Sequence, residues 1–163
     1  NMQKLYLDCD GVILDTINTS YKMMEEENIK TDEDRKIFYS NLDWKELITK
    51  SGEIDNAIEK IKALAKVYDV EVLTHIISEE EINAKREYFN KMLPDINIIY
   101  VPKNIRKADY VNPENSILVD DFLPNLEYWE EKGGIPIKFS SSGKSCKYCK
   151  IEDLLELLDK SFV

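Results

Sequence analysis

Short runs of β-branched and aliphatic residues recur along the chain, and between them apolar residues repeat at helical spacing. Leu5 to Asp8 is an apolar run that ends on an acid and is followed by Gly11, the pattern of a buried strand opening into a turn. Val70 to Thr74 (VEVLT), Ile96 to Val101 (INIIYV) and Ile117 to Asp120 (ILVD) read as further short strands of the parallel type. One intervening helix is marked by Ile54, Ile58, Ile61 and Ala65, the next by Ile82, Phe89 and Leu93. Ser78, with Glu81 three residues on, predicts a capping box at the start of that second helix. A further helix is expected from Pro124 to Lys132, with Leu126 and Trp129 on one face and Gly133 and Gly134 past its end. Ile135 to Phe139 reads as a last strand, placed at a sheet edge because Pro136 has no N–H for a ladder. Ile151, Leu154, Leu155 and Leu158 predict a closing amphipathic helix.

Alternation of this kind calls for a parallel sheet with crossover helices on both faces, a three-layer, Rossmann-like α/β fold. Ligands in such sheets sit beyond the strand C-termini, where Asp8, Thr74 and Asp120 all stand. The stretch from Thr16 to about Gly52 breaks the alternation. It carries helical patterns and no strand, with Tyr21, Met24, Phe38, Tyr39, Trp44, Leu47 and Ile48 as its apolar content. The expectation is one domain over residues 1–163, with a helical cap insert at about 16–52 over the site. Ser140 to Ser145 (SSSGKS) reads as a loop.

A chain of 163 residues with 43% apolar content can bury a core without staples. No apolar run approaches the roughly 20 residues of a membrane span, and NMQKLYLD lacks a signal-peptide pattern, so no membrane partner and a cytoplasmic location are expected. Lys and Arg number 22 against 32 Asp and Glu, and the net charge of −10 argues against a nucleic-acid polymer as partner. A small phosphate ester remains possible, provided that a cation offsets the repulsion. Cys9, Cys146 and Cys149 imply no disulfide framework. Cys146 and Cys149 form a CxxC without the second pair that a tetrahedral zinc site needs, and read as an incidental loop pair.

Asp8 and Asp10, one residue apart at a strand end, can share a pocket if the backbone turns at Gly11. Alone, Asp-x-Asp-Gly is as readily a turn or part of a calcium loop. As a pair, one carboxylate can attack phosphorus while the other protonates the leaving oxygen and then activates water. Two acids facing a phosphoryl dianion need a cation, and oxygen ligands favour Mg²⁺; Asp120 and Asp121 supply further ligands.

The segment DCDGVILDT resembles the first motif of the haloacid dehalogenase-like superfamily. VEVLT resembles the second motif and ILVDDFLPN the fourth, in the same order. The resemblance covers roughly Lys4 to Phe139 and implies a magnesium-dependent phosphatase. It makes Asp8 the nucleophile and a metal ligand, and Asp10 the acid/base whose carbonyl also holds the metal. Thr74 becomes a phosphate hydrogen-bond donor, and Asp120 and Asp121 the metal-site acids, with Asp121 the direct ligand and Asp120 acting through water. Asn125 stands where the fourth motif often carries another Asp. The third motif is a lysine that neutralises nucleophile and phosphoryl charge; Lys103, Arg106 and Lys107 are candidates. Lys107 is favoured because it opens the short helical segment KADYV, and Lys103 competes. The lone His75 is expected to contact phosphate through its backbone N–H rather than act as a base. NLEYWEEKGGIPIKF is similar to the cytosolic type of 5′-deoxynucleotidase and its small bacterial or phage relatives, which implies a nucleotide substrate. Tyr39 and Trp44 could stack on a base, although helical aromatics more often form core. The competing classes are a sugar-phosphate phosphatase or mutase, a dehalogenase, and a non-catalytic metal- or partner-binding protein on the same fold.

Overall fold

The structure is a computed structural model that describes residues 1–140 and 147–159. β1 (Lys4–Leu7) leads into three helices, α1 (Thr16–Glu26), α2 (Asp32–Ser40) and α3 (Trp44–Ser51), and then α4 (Ala57–Leu64). β2 (Asp69–Ile76), α5 (Glu79–Met92), β3 (Asn97–Pro102), α6 (Lys107–Tyr110), β4 (Ile117–Asp120), α7 (Leu123–Glu131) and β5 (Ile135–Phe139) then alternate. β6 (Cys149–Ile151) and a 3₁₀ turn, Leu154–Leu158, follow. The strands form one sheet in the order β3-β2-β1-β4-β5-β6, with every neighbouring pair parallel. Among the described residues no helix is long and apolar enough to cross a membrane.

Period-2 alternation sorts the strands between two cores. Leu5, Leu7, Val70, Val72, Ile117 and Val119 pack with α3, α4 and α5 through Leu47, Ile61 and Phe89. Tyr6, Leu73 and Leu118 pack on the other face with Ala108 of α6 and Leu126 and Trp129 of α7. The result is the three-layer α/β/α arrangement. Tyr6 pairs with Leu118 in register, so Asp8 and Asp120, two residues beyond each, end adjacent strands on the α6 side. Thr74, one residue past Leu73, turns to the α5 side. The parity of each strand thus decides which helical layer meets each polar residue.

Three sequence expectations need correction. β5 is not the sheet edge, because it lies between β4 and β6. Ile135 N–H donates to Ser116 O at 2.9 Å and Ser140 N–H to Ile151 O at 3.0 Å, so alternate amides face opposite neighbours. Pro136 therefore turns its missing N–H toward β6, which pairs only from Ile137 onward. The closing helix is a five-residue 3₁₀ turn, and Ile151 belongs to a strand. Leu154 and Leu157 are buried there, whereas Leu155 and Leu158 are exposed. The capping box is half formed: Ser78 Oγ accepts from Glu81 N at 3.1 Å, but the Glu81 carboxylate accepts from Ile77 N at 2.7 Å rather than from the cap. The loop predicted at Ser140 to Ser145 falls, beyond Ser140, outside the described residues.

Trp129 locks α7 to the sheet by donating its indole N–H to Ser116 O at 2.9 Å. A Cβ on Gly134 would run into the same indole. Gly134→Ala is expected to destabilise the fold by about 1–3 kcal/mol, read as a lower urea midpoint; an unchanged midpoint would show that this contact is not tight.

Candidate active site at the C-terminal rim of the sheet

Asp8 follows the last residue of β1, and its amide still pairs with Val119 O at 2.9 Å. The chain then curls back on itself: Cys9 O accepts from the amides of Val12, Ile13 and Leu14 at 3.2, 2.8 and 3.0 Å. Gly11 makes this possible with φ +85°, a value that side chains disfavour. A Cβ there would also collide with the Asp121 carboxylate, so the glycine lets the β1 turn and the end of β4 close on each other.

Lys107, at the first position of α6, is buried between the two strand ends. Its ammonium donates to Asp8 Oδ1 at 2.9 Å and to Asp120 Oδ2 at 2.8 Å. Asp8 Oδ1 also accepts from Cys9 N at 2.9 Å. Asp120 is fully engaged, because Asn125 Nδ2 donates to Oδ2 at 3.0 Å and Phe122 N to Oδ1 at 2.9 Å. An aspartate at position 125 could not donate in this way.

Carboxylate oxygens of Asp8, Asp120 and Asp121 lie within 4.8 Å of one another. Burial pushes the Asp8 carboxyl well above its ordinary range, with Asp120 adding to the rise and Lys107 opposing it. Burial works the same way on Asp120, but Lys107 outweighs it and holds that carboxyl low. Asp121 is pushed up to about 6 by burial, with the Asp120 charge contributing. Despite burial, Asp120 and Asp8 keep Lys107 charged and its affinity for the proton raised. Three carboxyls face one buried ammonium, and the Lys138 ammonium, bonded to the Asp121 carbonyl, only partly offsets the rest, which leaves excess negative charge in a dehydrated place. Hard oxygen donors in that state fit Mg²⁺.

Asp10 is held separately. Thr16 Oγ1 donates to its Oδ1 at 2.6 Å, and Lys85 Nζ to its Oδ2 at 2.7 Å. Lys85, on α5 and wholly buried, also donates to Thr74 Oγ1 at 2.8 Å and Glu81 Oε2 at 2.6 Å. Burial disfavours its charge, but Asp10 and the other acids around it reverse that effect and raise its proton affinity. The apolar pattern hides Lys85, because it points to Ile82, which is only half-buried. The buried stripe runs through Glu81, Lys85 and Phe89. A Glu and a Lys four apart, in line with a core Phe, were the available signal.

A cavity of about 510 Å³ opens beside Asp10, lined by Tyr39, Trp44, Ile77, Ile105, Phe122 and Asn125 among others. His75 also lines it and is anchored through Nε2 to Ile105 O at 2.8 Å; burial holds its proton affinity below the ordinary level. Lys103 and Arg106 stand exposed at the cavity wall, and neither shares the bonds that Lys107 makes to Asp8 and Asp120. Trp44 is buried, and its Nε1 has no hydrogen-bond partner among the described residues. Cys149 is exposed in β6, while Cys146 lies outside the described residues.

No protein-family model matches this chain, and no curated protein matches it by sequence. Solved structures do match in fold. A HAD-hydrolase of Bacillus subtilis, crystallised with magnesium, is 15% identical with a TM-score of 0.65, covering 98% of each chain. A HAD phosphatase of Thermococcus onnurineus is 16% identical at a TM-score of 0.61, over 97% of each chain. A dehalogenase is 14% identical at 0.61, over 98% of this chain and 96% of its own. The fold is therefore that of the HAD-type hydrolases.

The raised Asp121 carboxyl sets a pH dependence. Ionising it costs the folded state stability as pH rises from its ordinary 3.8 through about 6. A bound cation relieves that cost, and below about 6 protons compete with the cation. Mg²⁺ is expected to raise the melting temperature more at pH 7.5 than at pH 5, with affinity weaker on the order of tenfold at the lower pH. Equal thermal shifts at both pH values would count against a site built on Asp121.

Proposed function

We propose that this chain is a Mg²⁺-dependent phosphomonoesterase of the haloacid dehalogenase-like superfamily, acting through an aspartyl-phosphate on Asp8. The observation that carries the reading is that Asp8 and Asp10 stand at one rim of the sheet, each fixed by its own buried lysine. A simple turn or calcium loop has no use for that arrangement.

In the first half-reaction an Asp8 carboxylate oxygen bonds to phosphorus as the bond from phosphorus to the leaving oxygen breaks. Asp10, as the acid, gives its proton to that oxygen. In the second, Asp10 takes a proton from the water that attacks the same phosphorus, which frees inorganic phosphate and restores Asp8. The Thr74 hydroxyl and the His75 backbone N–H donate to phosphoryl oxygens, and Lys107 balances the Asp8 charge. The ion, when bound, supplies charge neutralisation at the phosphoryl group. Asp8, Asp121 and the Asp10 carbonyl would hold it. Asp120, with both oxygens already accepting, would act through water.

The second Asp argues for phosphoryl rather than halide chemistry, since displacement of halide needs neither a leaving-group proton nor a metal. The helices over residues 16–51 form a small cap whose Tyr39 and Trp44 face the same cavity as Phe122. An aromatic lining beside the cations Lys103 and Arg106 favours a nucleoside monophosphate over a bare sugar phosphate.

Two measurements check this reading. Phosphate release across nucleoside and deoxynucleoside monophosphates and sugar phosphates should require Mg²⁺ and be fastest on a nucleotide. Asp8→Asn should lower kcat at least about 10³-fold with an unchanged circular-dichroism melt; near-normal turnover by that variant would sink the proposal.

A further inference from the structure

Lys85 occupies a position that neither metal binding nor phosphate binding explains. It reaches the rim from α5, in the helical layer opposite α6 and Lys107. Its three N–H bonds meet three close acceptors, Asp10 Oδ2 at 2.7 Å, Thr74 Oγ1 at 2.8 Å and Glu81 Oε2 at 2.6 Å, with His75 O more distant at 3.4 Å. The Trp44 ring lies 5.4 Å from the ammonium. A pair formed only to stabilise α5 would need Glu81 alone.

An ammonium donates and never accepts, and that fixes two directions. Thr74 Oγ1 must accept from Lys85, so its own O–H points away from the ammonium. In the structure that O–H has only a weak bond, to His75 O at 3.3 Å, which a phosphoryl oxygen could replace. The Asp10 carboxylate is gripped at both ends, by Lys85 on Oδ2 and Thr16 on Oδ1, which leaves it a single rotamer. Glu81, almost fully buried and itself held by Ile77 N at 2.7 Å, keeps the ammonium in place.

We propose that Lys85 is a positioning residue that aims Asp10 at the leaving-group oxygen and the Thr74 hydroxyl at the phosphoryl group. This rests on the phosphatase reading of the same rim. Lys107 sets the nucleophile, and Lys85 sets the acid.

The test uses Lys85→Met in the full chain with Mg²⁺, comparing kcat/KM for p-nitrophenyl phosphate and for an alkyl phosphate. The aryl group leaves without a proton, and the alkyl group does not. Loss of aim at Asp10 should therefore cost the alkyl ester on the order of tenfold more than the aryl ester. An equal loss on both, or no loss, overturns the proposal, since a purely structural defect would lower both alike. Should Lys85→Met fail to fold, the double variant Glu81→Gln with Lys85→Met removes both buried charges and takes the same readout. A second measurement does not depend on activity. The ¹³C signal of the Asp10 carboxyl, assigned with Asp10→Asn, should shift or broaden in the Lys85 variant, and an unchanged signal overturns the proposal. A wild-type chain that hydrolyses no phosphomonoester would overturn the phosphatase reading, while the carboxyl signal would still decide whether Lys85 positions Asp10.

Discussion

Everything at the rim of this sheet depends on keeping carboxylates charged where water has been excluded. Five carboxyl groups, those of Asp8, Asp10, Glu81, Asp120 and Asp121, meet there with two buried ammonium groups. Removing ions from water costs several kcal/mol each unless partners with good geometry compensate. Lys107 and Lys85 provide that compensation from opposite helical layers, one on the Asp8 and Asp120 side and the other on the Asp10, Thr74 and Glu81 side. The balance remains short of neutral, and the shortfall is concentrated at Asp8 and Asp121, whose carboxyls burial pushes upward. A divalent cation is the physical remedy for that shortfall.

The sheet makes the arrangement rigid. Asp8 and Asp120 end neighbouring parallel strands in register, so their separation is set by the ladder rather than by loop conformation. Thr74 lies two residues before the end of β2, on the other side of β1 and with opposite parity. A one-residue slip of any of these strands would exchange core and rim residues, so the apolar alternation that builds the two cores also fixes the polar residues at their ends. The turn through Gly11, drawn tight by three amides on Cys9 O, then brings Asp10 back toward the same opening.

The cavity beside Asp10 differs in character from the acid cluster. Its walls combine aromatic and aliphatic side chains from the helices between β1 and α4 and from the segments after β2, β3 and β4. Trp44 serves both parts, lining the cavity while its ring lies against the Lys85 ammonium. Packing of the substrate enclosure and orientation of the acid are coupled through that residue.

Periodicity and the residues that end each strand determined much of this in advance. The parallel α/β architecture, five of the six strands, the helical stretch after β1, and the placing of Asp8 and Asp120 at the ends of strands follow from local patterns that survive in one dimension. What the chain order could not show were matters decided by partners distant in sequence. β6 is three residues long and has no alternation to read, yet it takes the edge from β5 because Pro136 happens to face the short strand's open end. The helical segment KADYV favours Lys107 over Lys103, but only the position of α6 beneath β1 and β4 puts the Lys107 ammonium on Asp8 and leaves Lys103 exposed. Lys85 looks like a solvated helix charge until Asp10, 75 positions earlier, comes within 2.7 Å of it. A charge is identified by what surrounds it, and for buried charges those surroundings exist only once the chain has folded.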